Sequence, residues 1–154
     1  MNSNASTEMF QPKGRQFTDF ELANYNFDLL AQDVADAKGL VVVLPQPNQL
    51  QIDLDTVEAM NEFDRRCGTM FDTMRESPVI HRNYSASGHP HSHITLTFKR
   101  EFTEWERITI QAALGDDPLR VFLNTRRLLA GIPNPSRLFE TKEEMALREK
   151  KAVG

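Results

Sequence analysis

The sequence predicts one mixed α/β (α+β) domain with a β-α-β-β core. Residues 50–55 and 93–98 each alternate apolar and polar side chains with the period of a strand. Between them, residues 57–74 carry apolar side chains at the spacing of a helix. The chain has 154 residues, 40% of them hydrophobic and 26% charged, which is typical of one globular domain.

The two ends of the chain are predicted to lie outside this core. Residues 1–24 are polar with isolated phenylalanines, a composition that predicts a flexible N-terminal arm. Apolar residues then recur at helical spacing up to Gly39, which indicates a short helix. We therefore expect one domain at residues 25–140, followed by a charged C-terminal helix or tail at residues 141–154.

Four segments have the features of strands. Residues 40–44 are apolar and β-branched and stop at a proline, which favours a buried strand or an extended segment. Residues 50–55 alternate, so that Asp53 and Asp55 share the face opposite the apolar side chains. Two further strands are expected at residues 79–84 and 93–98, joined by a polar turn.

Three further helices are expected within the domain. The first is capped by Asp55 or Thr56 and ends near Ser77 and Pro78. The second begins at Thr103, with Glu106 placed to complete a capping box. The third begins at Pro118. Its apolar side is predicted to consist of Leu119, Phe122, Leu123 and Leu129.

Asp53 and Asp55 are the first candidate site residues. Their Cα atoms are about 7 Å apart by strand geometry, so the two carboxylates can share one divalent cation. Mg²⁺ and Mn²⁺ prefer such oxygen ligands. The alternative is structural, with Asp53 facing water and Asp55 capping the following helix.

His91 and His93 form the second candidate pair. In a β-α-β-β sheet of the split type the first and third strands pair, which makes these histidines neighbours of Asp53 and Asp55. With His89 they also suggest a transition-metal cluster, although one strand brings only about two of them to one ion. The residues from His93 match one half of the two-histidine phosphoesterase motif, without a second copy. A surface histidine cluster without function is the remaining alternative.

These motifs resemble those of archaeo-eukaryotic primases and primase-polymerases. Residues 50–55 are similar to the strand D-h-D motif of that family, and residues 85–91, Ser-Ala-Ser-Gly-His-Pro-His, to its S-x-H or S-G-x-x-H motif. The resemblance implies an RRM-like palm in which Asp53 and Asp55 hold Mg²⁺ or Mn²⁺ and His91 contacts nucleotide phosphates. By the same resemblance Ser87, Gly88 and His93 belong to the nucleotide-binding segment.

The family also carries a third acid on a later strand. Glu140, after Leu138 and Phe139, is one candidate, and Asp116 and Asp117 at a helix start are the others. Over roughly residues 40–140 the chain also resembles small uncharacterised tailed-phage proteins with the same ordered motifs.

The expected function is binding of a nucleotide or single-stranded nucleic acid in the cytoplasm, that of the host cell if the protein is viral. An enzyme of this kind would be a divalent-metal-dependent nucleotidyltransferase or phosphotransferase. The competing class is a non-catalytic phage protein that binds a phage or host replication protein through its sheet face or helices. The absence of a convincing third acid favours this second class.

Composition limits the partners further. The net charge of −4 excludes a general attraction to polyanions, so a nucleic-acid contact must be local. A single cysteine excludes an internal disulfide, and no apolar run is long enough to predict a membrane span. The basic residues available for a local contact are Lys99, Arg100, Arg107, Arg120, Arg126, Arg127 and Arg137.

Overall fold

The computed structural model describes residues 39–84 and 90–153. Within them the chain forms a mixed α+β fold, which confirms the predicted class. The elements in chain order are β1 (Val41–Val43), β2 (Gln49–Leu54), α1 (Val57–Met74), β3 (Val79–Tyr84), β4 (Ser92–Thr97), α2 (Glu104–Ala113), α3 (Pro118–Leu129), β5 (Leu138–Glu140) and α4 (Lys142–Val153). The predicted arm and the helix before Gly39 lie outside the described residues.

The strands form two small antiparallel sheets. One contains three strands in the order β2-β4-β3, so the expected pairing of the first and third core strands is confirmed. Because β2 and β3 are both antiparallel to β4, they run parallel to each other on either side of it, and α1 makes the connection between them. The second sheet pairs β1 with β5, with Val42 opposite Phe139.

One face of the three-stranded sheet packs against α1 to form the hydrophobic core. The helix begins where the sequence predicts, because Thr56 accepts a hydrogen bond from the Ala59 amide through its side chain. Each fully buried aliphatic or aromatic side chain contributes about 1.5–3 kcal/mol through its removal from water. The most deeply buried members are Leu50, Ile52, Leu54, Phe63, Ile94 and Leu96.

The outer edge of β2 is covered by side chains from α2 and α3. The Arg107 guanidinium donates to the Gln49 carbonyl (2.9 Å), and the Gln51 amide donates to the Gln111 side chain (2.9 Å). Arg120 donates to the Gln51 carbonyl (2.7 Å). An open strand edge exposes unpaired main-chain groups that must find partners. Polar side chains meet that requirement along this edge.

The arginines predicted for a basic surface are mostly buried, so that prediction is wrong for four of them. Arg107, Arg120, Arg127 and Arg137 are each 8% exposed or less. Their guanidinium groups donate to main-chain carbonyls, such as Asn134 for Arg137. Burial, with a smaller contribution from the charge of Arg120, lowers the pKa of Arg127 to about 10.

The orientation of α3 also differs from the prediction. The helix occupies the predicted residues and is capped by the Asp117 carboxylate, which accepts from the Arg120 amide. However, its polar residues at helical spacing face inward, because they bond the edge of β2 and the segment before β5. The buried residues of this helix are Arg120, Asn124 and Arg127. Three residues of the predicted apolar side are instead more than one-third exposed: Leu119, Phe122 and Leu129.

The last helix, α4, packs onto the strands and contacts β1, β3 and β5. It begins with a capping box in which Thr141 and Glu144 exchange side-chain to main-chain hydrogen bonds of 2.8 and 3.0 Å. Glu144 is consequently buried. Across residues 39–84 and 90–153, none of the helices combines the length and the apolar character needed to cross a membrane.

Candidate functional site

The register of β2 and β4 brings together the acids and histidines singled out in the sequence. Asp53 is paired with His93 across the two strands. Asp55 follows β2 directly and His91 precedes β4, so this pair continues the same register beyond the strand ends. The Oδ1 atom of Asp55 lies 2.9 Å from Nδ1 of His91, and that of Asp53 lies 3.6 Å from Nε2 of His93. The predicted proximity of these four residues is thus observed.

The two pairs differ in their access to solvent. The side chains of Asp55 and His91 are 48% and 40% exposed, so this pair forms the rim of the site. The side chains of Asp53 and His93 are 24% and 9% exposed, and this pair forms its inner part. A dissolved ligand would therefore meet the rim pair first.

Glu140, the candidate third acid, lies on β5 and contacts the inner histidine. Its side chain is 1% exposed, and its Oε1 atom is 3.9 Å from Nδ1 of His93. Because Asp53 approaches the other ring nitrogen of His93, the imidazole lies between the two carboxylates. Glu140 is therefore placed to balance the charge of His93 rather than to join Asp53 and Asp55 around one ion.

The inner pair has shifted pKa values. Burial raises the pKa of Asp53 to about 6, and the charge of Asp55 adds to this against the opposing effect of His93. Burial by itself would lower the pKa of His93. The nearby carboxylates of Glu140, Asp53 and Glu144 outweigh that effect and raise the pKa of His93 above 6.5. The inner part of the site therefore holds protons more tightly than the free side chains would.

The other two candidate acids, Asp116 and Asp117, hold the main chain of Asp53. Oδ1 of Asp116 accepts from the Asp53 amide (2.8 Å), and the Asp117 amide donates to the Asp53 carbonyl (3.0 Å). The second oxygen of Asp116 pairs with Arg120 at 2.6 Å. With both carboxylate oxygens of Asp116 occupied, its role in this arrangement is to fix the position of Asp53.

Arg120 and Gln111 also belong to this region, although the sequence predicts no role in the site for either. The available signal was the i, i+4 spacing of Asp116 and Arg120, which suits an ion pair on a helix. Nothing in the pattern of α2 marked Gln111, whose side-chain amide donates to Ser136 while its oxygen accepts from Gln51. Such contacts depend on tertiary packing and leave no periodic trace in the sequence.

The remaining predicted residues have different outcomes. Ser87, Gly88 and His89 lie outside the described residues, so their predicted participation stays a prediction. Within residues 39–84 and 90–153, no three acidic, histidine or cysteine side chains form a group suited to hold a metal ion. The chain matches no protein-family model, and neither the curated proteins nor the solved structures gave a significant match.

Proposed function

We propose that the protein binds a nucleotide or single-stranded nucleic acid together with Mg²⁺ or Mn²⁺, with the cation at Asp53 and Asp55 and a phosphate group at His91. One observation carries this proposal. Two carboxylates at the end of β2 face two imidazoles at the start of β4. Asp53 lies 3.6 Å from His93, and Asp55 lies 2.9 Å from His91. The carboxylates can bind the metal ion, and the imidazoles can donate hydrogen bonds to the phosphate groups of the nucleotide or single strand.

The proposed fold is an RRM-like palm. Its support is the strand order β2-β4-β3, with a helix connecting the first strand to the edge strand. At the outer edge of β2, a fourth strand would compete with the side chains of Arg107, Gln111 and Arg120. The palm that we propose is therefore a reduced one, closed at this edge by helices.

The side chains of Asp53, Asp55 and His91 fit a hard divalent cation that is bound partly by the protein and partly by the phosphates of the nucleotide. Mg²⁺ commonly binds through one or two carboxylates together with substrate phosphates. Asp53 and Asp55 would supply those carboxylates, and His91 would orient a phosphate oxygen at the exposed rim. When bound, the cation would neutralise phosphate charge and activate an attacking oxygen. It would also offset the repulsion between the two carboxylates.

The test is a titration of Mn²⁺ into the protein with ATP or a short oligothymidine, measured by the electron paramagnetic resonance of free Mn²⁺. We expect wild type to bind Mn²⁺, and Asp53→Asn/Asp55→Asn to bind it at least about tenfold more weakly. Asp64→Asn/Asp72→Asn is the matched control, because both acids are exposed on α1 and the charge change is equal. Wild type that binds no Mn²⁺ with either ligand would refute the proposal.

The second candidate is a non-catalytic protein that binds a phage or host replication protein. The position of Glu140 favours it, because the third acid lies across His93 from Asp53. Incubation with Mn²⁺, nucleoside triphosphates and a primed template distinguishes the two. The absence of both metal-dependent binding and turnover in wild type supports this candidate, whereas turnover that is lost in Asp53→Asn excludes it.

A further inference from the structure

A surface cavity lies at the end of the sheet opposite the rim pair. It has a volume of about 630 Å³ and is lined by Arg75, Glu76, Ser77, Lys99 and Arg100. These residues follow the C-terminal ends of α1 and β4. Because β4 contains six residues, roughly 20 Å of strand separates this cavity from His91, which precedes the strand. The cavity is therefore a location distinct from the candidate site.

One guanidinium in the cavity is held in place. Arg100 donates from Nη2 to the Met74 carbonyl at the end of α1 (3.0 Å), and its Nε is 3.4 Å from Oε2 of Glu76. The other Glu76 oxygen accepts from the Lys99 amide (2.8 Å). The acid of the cavity is thus engaged by Arg100 and by the main chain, which reduces its repulsion of an incoming anion.

Two other cations lack such partners. The side chains of Arg75 and Lys99 are exposed and make no hydrogen bond or ion pair among the residues that the structure describes. The C-terminal end of a helix carries partial negative charge, so the cations that follow α1 also offset the repulsion that its carbonyls would exert on an anion. Arg75 also occupies the left-handed cap position with a φ of 57°, where glycine is the residue of lower cost. The charged groups of Arg75 and Lys99 are therefore available to a ligand.

We propose that this cavity binds a multiply charged phosphate group, either the polyphosphate of a nucleotide or the backbone of a single strand. Three cationic side chains and one carboxylate leave a net charge of +2 in the cavity. Its volume lies within the range of about 300–1,000 Å³ that is typical of ligand pockets. Arg100 supplies a fixed donor, and Arg75, Lys99 and Ser77 supply further donors around it. Binding here requires no metal and does not depend on Asp53.

The experiment measures binding of inorganic pyrophosphate and of a short oligothymidine by calorimetry, at low salt and with EDTA present. We expect Arg75→Ala/Lys99→Ala to bind about tenfold or more weakly than wild type, because two charge-assisted contacts are lost. The control is Arg65→Ala/Arg126→Ala, which removes two exposed cations elsewhere and should bind within about threefold of wild type. Circular dichroism should show that both variants are folded.

The outcomes separate the two ligand sources and the two sites. Binding of pyrophosphate identifies a free polyphosphate as a sufficient ligand, and binding of the oligonucleotide alone identifies the backbone. The proposal is overturned if wild type binds neither probe, or if the cavity variant and the control bind equally. Because EDTA removes the divalent cation that the site at Asp53 and Asp55 requires, binding in this experiment reports on the cavity, and a failure of one site leaves the other tested.

Discussion

The two faces of the three-stranded sheet are covered by different chemistry. One face packs its aliphatic side chains, such as Leu96, against α1. The other carries Gln51, Asp53 and His93, and it is covered by residues such as Glu140 that are themselves polar and buried. The first face is stabilised by removal of apolar surface from water, which requires shape but little direction. The second is stabilised only where each donor finds an acceptor.

This difference predicts how each region responds to change. An apolar core loses stability in proportion to the volume removed. A buried polar region loses more when one partner of a pair is removed, because the other partner stays buried without compensation. Asp116 and Arg120 are the clearest pair of this kind, with 4% and 8% of their surfaces exposed.

The largest effect is expected for Arg120→Met. This change leaves Asp116 as an unpaired buried carboxylate and removes the donor to the Gln51 carbonyl. We expect the free energy of unfolding to fall by about 3–5 kcal/mol, measured by urea denaturation. The double variant Asp116→Asn/Arg120→Met should recover part of this loss, because no unpaired charge remains and the side-chain oxygen at position 116 can still accept from the Asp53 amide. A double variant less stable than Arg120→Met would contradict the assigned pairing.

A smaller effect is expected on the apolar face from Leu96→Ala. Leu96 is fully buried in the central strand, opposite Leu50 and Ile80. Its truncation should lower the free energy of unfolding by about 3 kcal/mol, chiefly through the cavity that it leaves. Ile80→Ala is the matched control, since Ile80 is 47% exposed, and it should cost less than half as much. Equal losses of unfolding free energy at the two positions would mean that Leu96 is not part of the hydrophobic core.

The apolar face could be predicted from the sequence, and the polar region could not. Alternation in residues 50–55 and the capping signals at Thr56, Thr103 and Asp117 depend on neighbours in the chain, so the pattern itself records them. The burial of Arg107 and Arg127 depends on main-chain carbonyls from distant segments, which no local period reveals. The same reasoning applies to the site. Strand alternation predicted that the two rim residues and the two inner residues share one face of the sheet. It could not predict that Asp116 accepts a hydrogen bond from the Asp53 amide.

The polar region should also respond to pH, with Asp53 as the main titrating group. Its pKa is raised from 3.8 to about 6, so the folded protein retains a proton that the unfolded chain releases. Stability attributable to Asp53 therefore falls as the pH rises from about 4 to about 6, by on the order of 2 kcal/mol. The raised pKa of His93 acts in the same direction, since its stabilising effect is present below 6.5 and is lost at higher pH.

Asp53→Asn isolates this contribution in urea denaturation at a series of pH values. Relative to wild type, the variant should gain stability as the pH rises from 4 to 6.5. Asp55→Asn removes the more exposed neighbouring carboxylate and should keep most of the wild-type slope. A difference between Asp53→Asn and wild type that stays constant with pH would mean that Asp53 titrates as it does in the unfolded chain.

The smallest effects are expected at the two capping boxes. They differ in burial, and only the box at α4 adjoins the buried polar region. Thr103 and Glu106 form an exposed box at α2, and Thr141 and Glu144 form a partly buried one at α4. Thr103→Ala and Thr141→Ala should each lower the free energy of unfolding by about 1 kcal/mol. Thr141→Ala should also change the pH dependence in the range where His93 titrates, because Thr141 orients Glu144 and the charge of Glu144 raises the pKa of His93. Thr103→Ala should change it only in the acidic range, because Thr103 lowers the pKa of the Glu106 carboxyl. Identical pH profiles for the two variants would show that the box at α4 acts on helix stability alone and leaves the inner histidine unaffected.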